Sequence, residues 1–289
     1  MDFYLSAILL GLAYCGMGLG IYITLRIFNI PDITTDGSYT LGASVTAALL
    51  SQNSSMMVIL LTVIFSGSLA GFATGVIYTR LNINPLLAGI LVMTSLYSVN
   101  LSVMGRSNIP LINSNTIQHQ FKFFENDQYN WVAVIACFAI GLWLIVSWLL
   151  RTDFGLAMRA TGNSESMVRS LGVNTKNMKV AGLMIANALT ALSGFLVCQY
   201  QQFTDINMGI GIVIFGLGAV MMGESLLNLL KLQFIPVRLI GVIFGCVLFR
   251  CIIALALTVG VNPNWLRLIT AAIVLIVVGF PNIKSKETR

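Results

Sequence analysis

The sequence has too little charge for a water-soluble protein. Only 9% of its 289 residues are Asp, Glu, Lys or Arg, whereas soluble domains carry about 25%. Hydrophobic residues make up 57%, and the mean hydropathy is +0.89. Proline is also scarce, with 6 residues against 26 glycines, a balance that suits closely packed membrane helices. We predict an integral membrane protein without a separate soluble catalytic domain.

The sequence also lacks the patterns of metal, redox and nucleic-acid chemistry. Its 5 cysteines lie inside apolar runs without CxxC spacing, and His119, the single histidine, has no metal-ligand partner nearby. We therefore expect no catalytic residues, no metal and no cofactor. The net charge of +6 comes from basic residues strung between apolar runs. This distribution excludes a nucleic-acid patch and fits contact with anionic membrane lipid.

Apolar runs of about 20 residues, the length of a membrane span, divide the whole chain. They predict an all-α, polytopic membrane protein of about nine spans (range 8–10), some of them short or discontinuous, forming one domain over residues 1–289. The uncharged stretch 37–79 is too long for one helix and is divided by polar residues 51–55. The predicted spans are 3–25, 37–50, 56–79, 81–105, 128–150, 180–204, 206–223, 234–257 and 268–283.

Basic residues between the spans predict the orientation, because cytoplasmic loops retain Lys and Arg. With the N-terminus outside, 12 of the Lys and Arg residues fall on the cytoplasmic side and 3 on the outer side, while Arg250 lies within a span. The expected topology is N-out and C-in. Small residues at four-residue spacing, Gly67, Gly71 and Gly75 in the third span, predict close helix packing. This packing is expected inside one subunit, with a dimer seam as the alternative.

A polar break separates the first two spans. Pro31 and Gly37 interrupt helix continuity, and such a break is tolerated at membrane depth only if it lines a cavity or is buried in protein. Asp36 or Ser38 can cap a helix that starts at Gly37. The alternative is a plain cytoplasmic loop with an N-cap. The pathway candidates in and beside the break are Asp32, Thr34, Thr35, Asp36, Ser38 and Tyr39.

A weaker echo of this break precedes the seventh predicted span. It contains Asp205 and Asn207 followed by Gly209 and Gly211. The two polar stretches are expected at opposite faces of the membrane, as inverted repeats require. Asp205 and Asn207 are therefore further pathway candidates.

The cytoplasmic loop 151–179 is the largest soluble piece of the chain. Asn163 or Ser164 as N-cap and Gly172 as terminator predict one short helix. Its apolar residues Met167, Val168 and Leu171 are expected to be exposed, because a helix this short cannot bury them alone. They suit the groove of a partner protein; insertion into the lipid interface is the alternative.

Three stretches resemble the bacterial ABC-importer permeases. Arg159-Ala160-Thr161-Gly162-Asn163 with Leu171-Gly172-Val173-Asn174 is similar to their coupling loop. The stretches 31–43 and 216–224 extend the similarity over nearly the whole chain. Together they resemble the branched-chain amino acid/ribose permease superfamily, most closely its tryptophan/tyrosine branch. The loop departs from the family pattern because it lacks the full Glu-Ala-Ala triplet.

The resemblance implies an importer of amino acids, aromatic ones among them, or of similar small solutes, in the bacterial cytoplasmic membrane. It implies a second permease subunit, forming a homodimer, an ATPase dimer below and an extracytoplasmic substrate-binding protein. The chain has no Gly-x-x-x-x-Gly-Lys-Ser/Thr motif, so ATP hydrolysis is expected on the separate ATPase. The residues expected to couple to that ATPase are Arg159, Glu165, Met167, Val168, Arg169, Leu171 and Gly172.

An ion-coupled secondary transporter of small polar solutes is the alternative function. It needs ionisable groups within the membrane to bind the coupling ion. The candidates are Asp32, Asp36, Asp205, Glu224 and Arg250, most of them near predicted span ends. A requirement for ATP and a separate ATPase, against a requirement for an ion gradient, distinguishes the two functions.

Overall fold

A computed structural model describes residues 2–112, 114, 116–120, 127–229, 234–260, 262 and 265–287. Its longer helices are α1 (Asp2–Ala13), α3 (Thr34–Ser51), α4 (Met56–Arg80), α5 (Pro85–Met104), α7 (Asp127–Arg151), α8 (Asp153–Asn163), α10 (Thr175–Gln201), α11 (Ile212–Leu229), α12 (Ile235–Thr258) and α13 (Leu266–Glu287). The shorter ones are α2 (Cys15–Ile21), α6 (Ile117–Gln120) and α9 (Glu165–Ser170), and a π-helical segment covers Tyr22–Ile27. Two short strands, β1 (Asn108–Pro110) and β2 (Phe203–Asp205), complete the described elements.

The all-α membrane character is confirmed. Six helical stretches are long and apolar enough to cross a membrane, the first being the continuous run Phe3–Ile27. A helix also lies at each of the other predicted spans, but α3 is more polar, and the apolar parts of α11 and α13 are shorter. Several predicted boundaries were wrong. Residues 81–84, 202–204 and 206–211 are not helical: α5 begins at Pro85, α10 ends at Gln201 and α11 begins at Ile212.

Helix α10 is the centre of the fold, with most of residues 182–199 buried against α2, α3 and α4. Small residues let these helices approach closely. A Cβ placed on Gly67 of α4 would lie 2.7 Å from the Ala191 side chain, and one on Gly42 of α3 would lie 2.7 Å from the Ala191 Cα. Gly71 and Gly75 continue the contact along α4, against Leu183 and Val180. The predicted close packing within one subunit is thereby confirmed.

A second group packs α12 against α11 and α1. Gly223 of α11 faces the backbone of Gly241, and Gly245 of α12 faces the backbone of Ala219. The two strands join the ends of α5 and α10, because β1 follows α5 and β2 follows α10. They pair antiparallel, with Asn108 opposite Asp205 and Pro110 opposite Phe203.

Candidate functional site

The polar break folds as a buried turn and the first turn of α3. Helix α3 begins at Thr34, three residues before the predicted start. Asp32, rather than Asp36 or Ser38, caps this turn, since its Oδ1 accepts a hydrogen bond from the Thr34 backbone N–H at 2.9 Å. Phe28 and Ile30 are buried on the approach to the break. The break is therefore embedded in protein, as a break at membrane depth requires.

A buried polar network ties this turn to the central helix. Asn187 of α10 donates through Nδ2 to Oδ2 of Asp32 at 2.8 Å, and its Oδ1 accepts from the Ser38 hydroxyl at 2.6 Å. The Thr34 hydroxyl pairs with that of Thr74 on α4 at 2.8 Å. Thr35 donates to the backbone carbonyl of Asp32 at 3.2 Å. Five of the predicted pathway side chains therefore cluster at one place: four of them belong to this network, and the fifth, Asp36, lies between Thr35 and Ser38 in the first turn of α3.

Asp36 joins α3 to α11. Its two carboxylate oxygens accept hydrogen bonds from the backbone N–H groups of Gly211 at 2.9 Å and Val213 at 2.8 Å. A carboxylate at a helix N-terminus satisfies free N–H groups and complements the helix dipole. The expectation that the two polar stretches lie at opposite faces was wrong for these residues, which are in direct contact. No sequence pattern links Asp36 to a segment 175 residues away.

Asp205 and Asn207 lie at the edge of this contact. The Asp205 carboxylate accepts from the Asn207 backbone N–H at 2.8 Å, and the Asn207 side chain is exposed. Their turn leads directly into Gly209 and Gly211. Among the described residues, neither side chain joins the network around Asp32.

Tyr39 belongs to a buried aromatic cluster. Its ring lies 5.9 Å from that of Tyr14, which lies 4.9 Å from Phe215. The guanidinium of Arg250 stands 5.5 Å from the centre of the Tyr14 ring, a cation–π contact. Within the part of the chain that the structure describes, Arg250 forms no ion pair with Asp205 or another acid.

A small pocket of about 40 Å³ adjoins Asp36. It lies between α3, α5 and the turn before α11, and its polar lining comes from Asp36, Thr40, Tyr97 and Asn100. Asn100 was missed in the sequence, although an amide within an apolar helix is a signal that could have identified it.

The loop after α7 forms two helices, not one. Helix α8 was not predicted, whereas α9 has its N-cap at Ser164 and ends before Gly172, whose φ of +86° suits glycine. Met167 and Leu171 are 64% and 72% exposed, but Val168 is only 4% exposed, so the expectation of an exposed Val168 was wrong. Arg159 lies on α8 and is half-buried, and its Nε has no hydrogen-bond partner within the described part of the chain.

Glu165 fastens α9 to the central helix. Its carboxylate pairs with Lys179 of α10 at 2.6 Å and with Arg169 at 2.8 Å, and it accepts from the Thr175 hydroxyl at 3.1 Å. The hydrogen bond from Lys179 is the largest cause that lowers the pKa of Glu165. Lys179 also donates to the Tyr78 hydroxyl at 3.2 Å. Arg169, expected to face a partner, is therefore paired within its own helix.

An ion pair that the sequence did not predict connects the first span with α11. Arg26, at the end of the π-helical segment, pairs with Glu224. The Glu224 side chain is only 12% exposed, and Arg238 of α12 lies close to it. Glu224, one of the candidates for ion coupling, therefore has a fixed basic partner.

These features define the class of the protein. Long apolar helices, a buried polar break between the first of them and α3, and a short helix fastened to the central helix describe a multi-pass membrane protein with a polar interior site. Residues 3–279 match the family described as "Branched-chain amino acid transport system / permease component", and the chain belongs to this family.

Two relatives cover almost the whole chain. A tyrosine transport system permease protein of Clostridioides difficile is 37% identical over 94% of this chain and 90% of its own. An uncharacterized protein of Rickettsia prowazekii is 32% identical over 96% of both chains. A galactose/methyl galactoside import permease protein of Haemophilus influenzae is 25% identical over 80% of this chain and 68% of its own. No solved structure matches the chain. The predicted ABC-importer permease superfamily and the placement in the cytoplasmic membrane are confirmed.

Proposed function

We propose that this permease imports amino acids, aromatic ones among them, and that α9 couples it to a separate ATPase. The exposure of Met167 and Leu171 carries the coupling proposal. Two large apolar side chains one turn apart form an anchor of the kind in which interface energy concentrates. The amino-acid substrate is supported by the 37% identity to a tyrosine permease across nearly the whole chain.

The contacts of α9 supply a route for the coupling. A pull on α9 acts through Glu165 on Lys179, and hence on α10. Helix α10 carries Asn187, which holds Asp32 and Ser38. Because packed helices move as rigid bodies, displacement of α10 would shift the start of α3 and change the polar network. Gly172, which ends α9, and the basic residues Arg159 and Arg169 are the other residues proposed to take part in the coupling to the ATPase.

The polar network lies beside the pathway in this proposal. Asp32, Thr34, Thr35, Ser38 and Tyr39 are buried in the conformation described. They would line the pathway when α3 and α10 separate. Keeping a carboxylate and several hydroxyls within the membrane is costly unless they are paired or serve transport. Asp36 faces the pocket, and Asp205 and Asn207 would lie at the outer entrance of the N-out topology.

The proposed complex contains two copies of this single-domain permease, an ATPase dimer and an extracytoplasmic substrate-binding protein. The exposed face of α5 is polar, which supports a polar environment on this side of the helix, such as a pathway between two copies. Four hydroxyl residues, Thr94, Ser95, Ser98 and Ser102, are exposed on this membrane helix. The loop 151–179 would face the ATPase on the cytoplasmic side.

The test replaces the apolar anchor with charge. The double variant Met167→Glu/Leu171→Glu should lose binding of the ATPase and ATP-driven uptake of L-tyrosine in proteoliposomes, while the permease still purifies as a folded protein. Leu156→Glu is the matched control, because Leu156 on the neighbouring α8 is 57% exposed. Retained ATPase binding in the double variant would remove α9 from the coupling. Uptake by the wild-type permease that follows an ion gradient without ATP would favour the secondary transporter instead.

A further inference from the structure

The buried amide of Asn100 is incompletely satisfied. Asn100 is 1% exposed, and its Nδ2 donates to the Gly37 carbonyl at 3.3 Å. This bond orients the amide and leaves Oδ1 without a hydrogen-bond partner among the residues that the structure describes. A buried acceptor without a donor is unfavourable and calls for a specific explanation.

The pocket beside Asn100 is rich in acceptors. Asp36 contributes a carboxylate in which each oxygen accepts one backbone N–H group, so further lone pairs remain available. The hydroxyl of Thr40 gives its proton to the Asp36 carbonyl at 3.1 Å and can accept in turn. No Lys or Arg is among the described residues that line the pocket.

The charge and the size of the pocket define its ligand. The full negative charge of Asp36 exceeds the roughly +0.5 charge of the α11 N-terminus, so a carboxylate would be repelled and a cation attracted. A volume of about 40 Å³ is more than one water needs, yet too small for a whole amino acid. An ammonium group is compact and carries three donors, unlike the wide planar guanidinium.

The rim of the pocket leaves room for the remainder of such a ligand. Tyr97 of α5 is 49% exposed beside it, and Ile210 on the opposite side is 48% exposed. An aromatic ring and an aliphatic side chain form an apolar border to a polar pocket. A ligand can therefore place its charged group inside and an apolar body against the rim.

We infer that this pocket binds the ammonium group of the transported amino acid, with Asn100 Oδ1, the Asp36 carboxylate and the Thr40 hydroxyl as acceptors. The inference rests on the proposed function and names the part of the substrate that this site holds. It assigns the substrate's carboxylate to a position outside the pocket.

Equilibrium binding of radiolabelled tyramine to the purified permease in lipid nanodiscs tests the inference. Tyramine has the amine of tyrosine but no carboxylate. L-Tyrosine should compete for the site, whereas 3-(4-hydroxyphenyl)propionate, which has the carboxylate but no amine, should not. Asn100→Leu should weaken tyramine binding about tenfold or more, the effect of one hydrogen bond to a charged group.

A matched pair of variants keeps the inference testable if Asn100→Leu does not fold. Thr40→Val removes a pocket hydroxyl and should weaken tyramine binding. Thr46→Val is the control, because the buried Thr46 on the same helix also donates to a carbonyl four residues back, at 2.6 Å, and does not line the pocket. Equal effects of these two variants on binding would contradict the inference.

Other outcomes separate this inference from the proposed function. Absence of tyramine binding to the wild-type permease, with ATP-driven L-tyrosine uptake intact, means that the pocket holds water only and overturns the inference alone. Competition by the propionate as strong as that by L-tyrosine also overturns it. Tyramine binding that depends on Asn100, in a permease without any ATP-driven uptake, supports the ammonium-binding pocket and contradicts the proposed function.

Discussion

Asp36 is expected to stabilise the permease by holding the start of α11, and Asp36→Ala tests this. The substitution leaves the N–H groups of Gly211 and Val213 without their acceptor. An unsatisfied buried donor costs about 1 to 3 kcal/mol. Both donors are only partly buried, so the lower half of that range applies, and the two together give a loss of about 2 to 4 kcal/mol.

Asp36→Asn gives the intermediate case. The amide keeps one acceptor oxygen but turns an NH₂ group toward the second N–H, and it removes the charge that complements the helix dipole. We expect about half of the loss caused by Asp36→Ala. The order of stability is therefore wild type, then Asp36→Asn, then Asp36→Ala.

Thermal unfolding of the purified permease in detergent, followed by the fraction that remains monodisperse, measures this order. Asp205→Ala is the control, because the Asp205 carboxylate caps only a local turn at Asn207. An apparent melting temperature of Asp36→Ala equal to that of Asp205→Ala would refute the assignment of Asp36 as the link between α3 and α11.

Gly42→Ala should prevent stable packing of α3 on α10, because the new Cβ would lie 2.6 Å from the Ala191 carbonyl carbon, and the yield of monodisperse protein measures this. Glu165 should hold α9 in place at neutral pH. Because the pKa of Glu165 is lower in the folded state, the stability that its ion pairs contribute is complete above the unfolded pKa of 4.5. That stability is lost as the pH falls through the folded pKa. The protection of residues 165–170 against hydrogen exchange, corrected for the intrinsic pH dependence of exchange, should therefore be constant from pH 7 to about pH 4.5 and fall below that pH. Arg250→Met should lower thermal stability through loss of the cation–π contact, by about 0.5 to 2 kcal/mol.

Each of these has a control or a contradicting result. Gly141→Ala should leave yield unchanged, because among the described residues no atom outside the neighbouring backbone of its own helix lies within 4 Å of the added Cβ. Lys179→Met should lower the protection of α9 against hydrogen exchange at pH 7 and flatten the pH dependence of that protection. An unchanged pH profile would show that the Glu165–Lys179 ion pair does not hold α9 in place. Arg250→Met with unaltered stability would indicate that this side chain reaches the outer headgroups instead.

The sequence alone predicted an all-α membrane protein and the approximate positions of its long apolar helices, because runs of about 20 apolar residues have few other solutions. It also predicted α9 and its end at Gly172, since caps and terminators act on neighbouring residues. The same local rules placed Met167 and Leu171 on an exposed surface. They gave no warning that Val168, between these two, packs inward, because burial depends on what the helix meets.

Tertiary structure alone decided which polar groups meet. Asp36 reaches Gly211, Asn187 reaches Asp32 and Arg26 pairs with Glu224, across 175, 155 and 198 residues of sequence. Such pairs depend on which helices are adjacent and at what depth each begins. The hydrophobic pattern that inserts a helix in the membrane carries no information about its neighbours, because lipid and a protein interior are equally apolar. The neighbours of each helix are determined instead by small residues that allow close helix contacts and by polar groups that need hydrogen-bond or ion-pair partners.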